Sequence, residues 1–418
     1  MKAQTLKGTK DILPQEVYKW QYIEKIIDDV CNDFGYKEIR TPVFEHTEVF
    51  ARGVGDTTDI VQKEMYTFED KGGRSITLRP EGTAGVVRSF VQNGMASLPF
   101  PVKLFYKIAA YRYENVQKGR YREFNQFGIE AFGSVGPVID AEVISVLSVL
   151  FKRLGIKNMG VSINSIGCPE CRGKFNEALK EFINNAGIEN FCGDCKGRVE
   201  RNPLRLIDCK KDNCKTIMAT APKQVDYLCE ECKEHFDGLR ESLDNMGIDY
   251  KIDTSIVRGL DYYTKTVFEF IDYSIGAQST FCGGGRYDGL VEMFGGNSVP
   301  GIGFAMGVER LINVMENQGI EIPLAEAPKL YIANIGDVAG KETEKIAFRL
   351  REMGISVLID TMSKSVKAQM KYADKMNVEY TIVIGDDEIS SGKCKLKEMK
   401  TGKEKEVSFE NLSDILVD

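Results

Sequence analysis

Residues 103–132, KLFYKIAAYRYENVQKGRYREFNQFGIEAF, read as one long hairpin. Two β-rich runs, 103–114 and 121–132, flank a basic tip, Asn115-Val116-Gln117-Lys118-Gly119-Arg120, so the strands return antiparallel. Upstream, Trp20, Ile23, Ile26, Ile27, Val30 and Phe34 recur near a spacing of 3.6, predicting an amphipathic helix over 14–34 that Gly35 ends. A strand over 38–45 carries Pro42, which suits an edge or interface position. Residues 65–69 and 75–78 flank a Lys-Gly-Gly turn and predict a second hairpin. Downstream come a helix over 138–154 and a strand over 160–165, then a change of character from about 167 to 245, where most cysteines fall among helical patterns. TKTVFEF (264–270) alternates as a strand, and GIGFAMGVER (301–310) runs into a helix ending near Asn317. After a short linker at 321–328, strand and helix alternate as in a small α/β domain, closing on a lysine-rich hairpin.

Composition narrows the chemistry. The 418 residues suffice for two or three domains, and 43% hydrophobic with 28% charged residues is ordinary for a globular protein. The net charge is −7, so any nucleic-acid partner must be held by local basic patches. No run reaches the roughly 18 apolar residues of a membrane span, and the first residues, MKAQTLKGTKDILP, lack the apolar core of a signal peptide; a cytoplasmic protein is expected. His46 and His235 are the only histidines, which excludes an HExxH zinc site and leaves little for a Ser-His-Asp triad. Both are expected to be solvent-facing or structural, leaving Arg, Glu, Gln and Tyr to carry any chemistry.

Those residue types are concentrated in a few motifs. Val257-Arg258-Gly259-Leu260-Asp261-Tyr262-Tyr263-Thr264 sets a guanidinium at a glycine-opened turn with two phenol rings behind it. The planar fork suits a carboxylate or phosphate, and the rings offer flat walls for a small polar ring. Gly283-Gly284-Gly285-Arg286-Tyr287-Asp288 follows, with glycines that let backbone approach a substrate closely. Together these two stretches resemble the histidine-binding signatures of histidyl-tRNA synthetases. Three further pieces resemble the ordered signatures of class II aminoacyl-tRNA synthetases: the helix–strand unit ending at Pro42, Tyr111-Arg112-Tyr113-Glu114 through Arg120-Tyr121-Arg122-Glu123-Phe124, and 301–310. Tyr113 and Asn115-Val116 depart from common family residues, which bears on tRNA contacts rather than activity.

The resemblance implies an α+β catalytic core on an antiparallel sheet of six or seven strands, flanked by helices and divided into 1–166 and 251–320. An inserted helical, Cys-rich subdomain would occupy 167–250 and a mixed α/β anticodon-binding domain 328–418. It implies activation of L-histidine by ATP, taken with Mg2+, to histidyl-adenylate and pyrophosphate, followed by transfer to the 3′ end of tRNA(His), in a homodimer. Two anions must meet in the first step, so prepositioned cations are the largest source of rate. By the same resemblance Arg112 and Arg258 hold the α-phosphate and the substrate carboxylate from opposite sides. Arg310 and Phe124 cover the two adenine faces, and Glu114 accepts from the adenine amino group. Arg120 and Arg122 meet the outer phosphates or the tRNA end. Glu81, Gly82, Thr83 and Gln126 receive the α-ammonium. Glu130, four residues beyond Gln126 on an alternating strand, faces the imidazole N–H; Tyr262, Tyr263 and Tyr287 wall the ring.

The insertion departs from the family pattern. Cys168/Cys171, Cys192/Cys195, Cys209/Cys214 and Cys229/Cys232 form pairs, three with C-x2-C spacing. In a cytosolic protein this favours structural Zn2+ over disulfides, with free cysteines as the alternative. Eight ligands could close two tetrahedral sites, or four could close one and leave spare thiols. Cys31, Cys282 and Cys394 read as isolated small core residues. In the C-terminal domain Lys364-Ser365-Val366-Lys367-Ala368-Gln369-Met370-Lys371 and Gly385-Asp386-Asp387-Glu388 match the anticodon-binding pattern. Lys393, Lys395, Lys397, Lys400, Lys403 and Lys405 supply a local basic surface for RNA phosphates. Two other classes compete. A synthetase-like regulator of histidine biosynthesis typically lacks the C-terminal domain and part of the arginine set. A zinc-dependent nucleic-acid adaptor would leave the catalytic motifs idle.

Overall fold

The computed structural model describes residues 3–55, 58–199, 203–207, 209, 211–256, 262–273 and 279–417. They form two compact units, Met1–Pro323 and Leu324–Asp418. An eight-stranded sheet organises the first. Its order is Lys37–Glu38, Val102–Tyr111, Glu123–Phe132, Gly301–Gly307, Ser279–Arg286, Thr264–Asp272, Met159–Ser165 and Tyr250–Ile252. The inner six strands pair antiparallel, while the two short edge strands, 37–38 and 250–252, attach in parallel and bring the count above the expected seven.

Alternation assigns the two faces of this sheet. Phe105, Phe127, Ile129, Ile302, Phe304 and Met306 join the larger core, where helices Pro14–Asp33, Pro137–Arg153, Glu230–Asn245 and Val308–Asn317 also bury apolar side chains. Ile23, Ile27 and Val30 of the first helix are buried there, as its 3.6 periodicity predicts. Leu104, Tyr106 and Ile108 belong to the opposite face, packed with Val86, Val87 and Phe90 of helix Thr83–Gln92.

On that second face the strand register builds a floor of small residues. Leu104 stands opposite Glu130, which stands opposite Gly303, which stands opposite Gly285. In the next row, Tyr106, Gly128, Ala305 and Gly283 follow one another. The glycines therefore make room first for the protein's own groups. A Cβ on Gly128 would fall 2.3 Å from the Tyr106 hydroxyl, and one on Gly285 would fall 2.6 Å from the Thr266 carbonyl oxygen. At Gly303 it would meet Glu130 Oε2 at 2.0 Å and the Ile129 carbonyl oxygen at 2.3 Å, and a backbone oxygen cannot step aside. Gly303→Ala is expected to destabilise the fold by about 3 kcal/mol; an unchanged midpoint in urea or thermal unfolding would contradict the register.

The strand expected over 38–45 is split. Lys37–Glu38 joins the large sheet, whereas Phe44–His46 joins a three-stranded sheet with Ser75–Leu78 and Tyr66–Glu69, the hairpin expected from the Lys-Gly-Gly turn. Pro42 brings no N–H to a ladder. The carbonyls of Thr41 and Pro42 instead accept hydrogen bonds from Arg79 Nη1 at 2.7 and 3.2 Å, so the chain crosses between sheets at that point.

Helices dominate the insertion: Pro169–Ala186, Gly193–Arg198, Asp212–Met218 and Glu230–Asn245. Phe175, Leu179, Ile183, Phe191 and Leu206 give it a small core of its own. In the second unit, Val357–Ile359, Leu330–Asn334 and Tyr380–Ile384 are parallel, and the hairpin Lys393–Glu398/Glu404–Ser408 completes the sheet. Its first helix starts at Gly336, earlier than the expected position near 340. The hairpin surface is less basic than its lysine count suggests. Glu406 stands opposite Lys395 and pairs with Lys393 at 2.8 Å, and Glu404 stands opposite Lys397. Among the described residues no helix is long and apolar enough to cross a membrane.

Candidate active site

The pocket begins with a carboxylate on the strand Glu123–Phe132. Glu130 is fully buried; it accepts a hydrogen bond from the Tyr287 hydroxyl on Oε2 and a longer one, 3.4 Å, from Tyr106 on Oε1. Burial pushes its carboxyl up to about 8, against the pull of the Tyr287 and Thr83 hydroxyls. Tyr262 and Tyr263 are buried beside it with ring centroids 4.7 Å apart, and Tyr262 meets Tyr287 edge-on at 5.6 Å. Three tyrosines and one carboxylate thus stand together, buried, on the glycine-floored face.

Glu81 closes another side. Its oxygens accept the backbone N–H groups of Thr83 and Ala84, both at 2.7 Å, at the first turn of helix Thr83–Gln92. Burial raises its carboxyl, and those two N–H bonds hold it back. The Thr83 hydroxyl bonds this carboxylate as well, and the lone pair that remains can take a further donor. Gln126 was expected to act as an acceptor; its Oε1 takes the Gly82 N–H at 2.8 Å, which orients the amide. Gly82 admits no side chain, since a Cβ would stand 2.2 Å from the Tyr106 ring.

The cations gather next to this pocket. Arg112 donates Nε to the Pro80 carbonyl at 2.7 Å and lies 5.4 Å from the Phe124 ring centre. Glu114 approaches Arg112 at 3.7 Å and Arg120 at 3.2 Å. Arg310 donates to the Thr280 carbonyl at 2.9 Å; burial and then the charges of Arg120 and Arg112 lower its proton affinity, with Glu114 opposing. The electrostatics therefore join 112, 114, 120 and 310 into one group. Arg122 turns to stack on Tyr113, 3.6 Å from its ring centre. Arg258 lies outside the described residues, so the structure leaves its expected place in this group undescribed.

Several supports escaped the sequence reading. Tyr106 fills the floor between Gly82, Gly128 and Glu130, a place that only strand register reveals. Arg286 is wholly buried: it pairs with Asp140 and Asp288 and donates to the carbonyls of Ser134 and Gly136, fixing the turn that presents Tyr287. As expected of the two histidines, His235 is structural, its Nε2 2.8 Å from Asp140, and His46 is exposed. Burial opposes the Asp140 charge, but the His235 bond and the Arg286 guanidinium outweigh it and lower its carboxyl. Glu309 accepts the backbone and side-chain N–H groups of Asn125 at 2.9 and 2.8 Å and so anchors the helix that carries Arg310.

Away from the pocket, the eight paired cysteines collect into two tetrads, Cys168/Cys171/Cys229/Cys232 and Cys192/Cys195/Cys209/Cys214. Sulfur–sulfur distances are 3.6 Å for 168–171, 4.0 Å for 168–229 and 3.8 Å for 192–209. Backbone N–H groups point at the thiols, from Cys229 to Cys171 at 3.0 Å and from Cys192 to Cys214 at 3.3 Å. Cys31, Cys282 and Cys394 lie outside both tetrads and are buried, as expected.

Comparison with known proteins agrees with this geometry. A family model described as histidyl-tRNA synthetase matches residues 8–169 and 201–311, and one described as anticodon binding domain matches 329–418. The chain is 65% identical over 412 residues to a histidine–tRNA ligase of Acetivibrio thermocellus, covering 99% of each. It is 55% identical over 413 residues to one from Caldicellulosiruptor saccharolyticus, covering 99% of this chain and 98% of that one. The crystal structure of apo S. aureus histidyl-tRNA synthetase superposes with a TM-score of 0.86 at 41% identity, covering all of both chains. Matched in sequence end to end and in fold throughout, the chain belongs to the histidyl-tRNA synthetase family of class II aminoacyl-tRNA synthetases.

Proposed function

We propose that this histidine–tRNA ligase holds L-histidine in the Glu130 pocket and ATP against the neighbouring arginines. The observation that carries the reading is the buried Glu130 carboxyl enclosed by Tyr262, Tyr263 and Tyr287. A ring with an N–H to give finds an acceptor there, and analogues without it leave buried polar groups unpaired. Glu81 and Gln126 receive the α-ammonium, with Gly82 and Thr83 shaping that side. The substrate carboxylate is thereby turned toward Arg112.

ATP enters as its Mg2+ complex. The carboxylate oxygen attacks the α-phosphorus, the bond to the β-phosphate oxygen breaks, and pyrophosphate leaves with the bonding pair. Arg112 and Arg258 stabilise the charge that builds on the non-bridging oxygens. Arg310 and Phe124 hold the adenine, Glu114 takes its amino group, and Arg120 and Arg122 meet outer phosphates or the tRNA end. The 3′-terminal ribose hydroxyl of tRNA(His) then attacks the acyl carbon and displaces AMP.

The same reading assigns the catalytic core to 1–166 and 251–320, the insertion to 167–250 and anticodon binding to 328–418. A cytoplasmic homodimer is part of it. Phe44 and Phe68 stand exposed on one face of the three-stranded sheet, next to the first class signature, and a second copy would cover them. Structural Zn2+ at the two tetrads also belongs to it. A tetrahedral zinc–thiolate site spaces its sulfurs about 3.8 Å apart, and the measured distances fall around that value.

Histidine-dependent ATP–pyrophosphate exchange tests the assignment. Exchange with histidine, and with no other amino acid, followed by charging of tRNA(His), is expected. Histidine binding without exchange would make the chain a regulator instead.

A further inference from the structure

The inner tetrad stands where the insertion meets the histidine pocket. Both helices that carry it begin at a ligand: Cys168 caps Pro169–Ala186, and Cys229 caps Glu230–Asn245. On each helix the residue adjoining a ligand reaches the chain segment that holds the tyrosine wall. Arg172, beside Cys171, donates Nη2 to the Tyr263 carbonyl at 2.5 Å. Glu231, beside Cys232, accepts from Lys265 Nζ at 2.8 Å. The backbone entering the tetrad is paired to the same segment, with Ile166 N–H bonded to the Lys265 carbonyl at 2.8 Å and Lys265 N–H to the Gly167 carbonyl at 2.9 Å.

The turn between sheet and tetrad has little slack. Gly167 holds φ +65°, and a Cβ there would lie 2.5 Å from Cys171 Cβ. Lys265 holds φ +49°, a conformation that a non-glycine residue keeps only when its surroundings impose it. Ile166 and Gly167, just ahead of the first tetrad helix, hold its backbone, and Glu231 of the second holds its side chain. The outer tetrad differs, because Cys195, Cys209 and Cys214 lie in the insertion's own core with Phe175, Phe191 and Leu206.

We infer that Cys168, Cys171, Cys229 and Cys232 form a zinc site that fixes the Tyr262–Tyr263 wall and so sets the affinity for histidine, whereas metal at the outer tetrad holds only the insertion. The inference rests on the zinc reading given above and adds a division of labour. A single tetrahedral ion suits both tetrads, since the ligand atoms of each lie within 4.8 Å of one another and all eight cysteines are free. At the inner site it would tie the starts of the two helices together, and with them Arg172 and Glu231.

Elemental analysis of the full chain, purified without chelator, should give two zinc ions per chain. Cys214→Ser should lower this to one and leave the KM for histidine within twofold of the parent. Cys229→Ser should also retain one zinc but raise that KM about tenfold, with kcat and the KM for ATP within threefold. Cys229→His, which supplies another zinc ligand, should restore both metal and KM. Should Cys229→Ser fail to fold, Arg172→Met decides: it should keep two zincs and still raise the KM for histidine. Active enzyme without zinc would overturn the metal reading and this inference with it. Two zincs in the parent chain, with a parental histidine KM in Arg172→Met and in folded Cys229→Ser holding one zinc, would overturn the inference alone. An equal KM rise in Cys214→Ser would remove the division between the sites.

Discussion

Replacing Arg112 with alanine is expected to slow histidine-dependent ATP–pyrophosphate exchange by about a thousandfold, or roughly 4 kcal/mol of barrier. The guanidinium is held by the Pro80 carbonyl at 2.7 Å and lies 5.4 Å from the Phe124 ring centre, so it needs no rearrangement to meet developing charge. Its charge also acts on Arg310, which places both in one electrostatic group. A preorganised cation helps most where negative charge grows between ground and transition state, so kcat should fall far more than affinity for histidine. Arg258→Ala is expected to behave likewise, with histidine affinity within about tenfold. Near-parental exchange in Arg112→Ala would remove that residue from the mechanism, and a rise in the KM for histidine as large as the fall in kcat would reassign it to binding.

Glu130→Gln should raise the KM for histidine 10- to 100-fold, about 1.5–3 kcal/mol for one charge-assisted hydrogen bond. It should also reshape the pH profile, with the following signs. In the empty pocket Glu130 keeps its proton up to about pH 8, because burial disfavours the charge. Free imidazole loses its proton near 6.5. The complex contains one proton shared between the carboxyl and the ring. Between roughly pH 6.5 and 8 binding changes no net protonation, and 1/KM should be flat. Below that window a proton must be released; above it one must be taken up; affinity should fall toward either side. In Glu130→Gln the acid limb remains, and the alkaline limb retreats to the titration of the substrate's own ammonium. An alkaline limb unchanged in the variant would show that Glu130 does not hold the shared proton.

The proposed function orders these two effects. On that reading Arg112 meets charge that appears during reaction, whereas Glu130 meets charge or a proton present from the start. The first variant should therefore act mainly on kcat and the second mainly on KM.

Alternation along 123–132 was enough to put Gln126 and Glu130 on one face, because a strand repeats every two residues whatever surrounds it. The helix at 14–33 was legible through its 3.6-residue spacing and the glycine that stops it, and that at 137–153 matches the one expected over 138–154. Of the two tyrosine-bearing motifs, the structure brings Tyr262, Tyr263 and Tyr287 together and sets Gly283–Gly285 within a strand, while Arg258 lies outside the described residues. The failures came where chain neighbours join different partners. Pro42 marked an interruption, but the sequence did not say that residues on its two sides enter separate sheets. Cross-strand register, which the sequence did not give, sets Glu404 opposite Lys397 and Glu406 opposite Lys395 in the lysine-rich hairpin.

What the chain determined unaided is local: strand and helix periods, the pairing of cysteines within each knuckle, and the chemical type of ligand its side chains can recognise. These follow from spacing over a few residues. Tertiary folding alone joined Cys168 and Cys171 to a knuckle some sixty residues away, buried Arg286 on Asp140, and set Tyr106 beneath Gly82 and Gly128. Each of those contacts exists because distant elements return to one sheet, and their geometry is fixed by packing of the whole unit rather than by any short stretch.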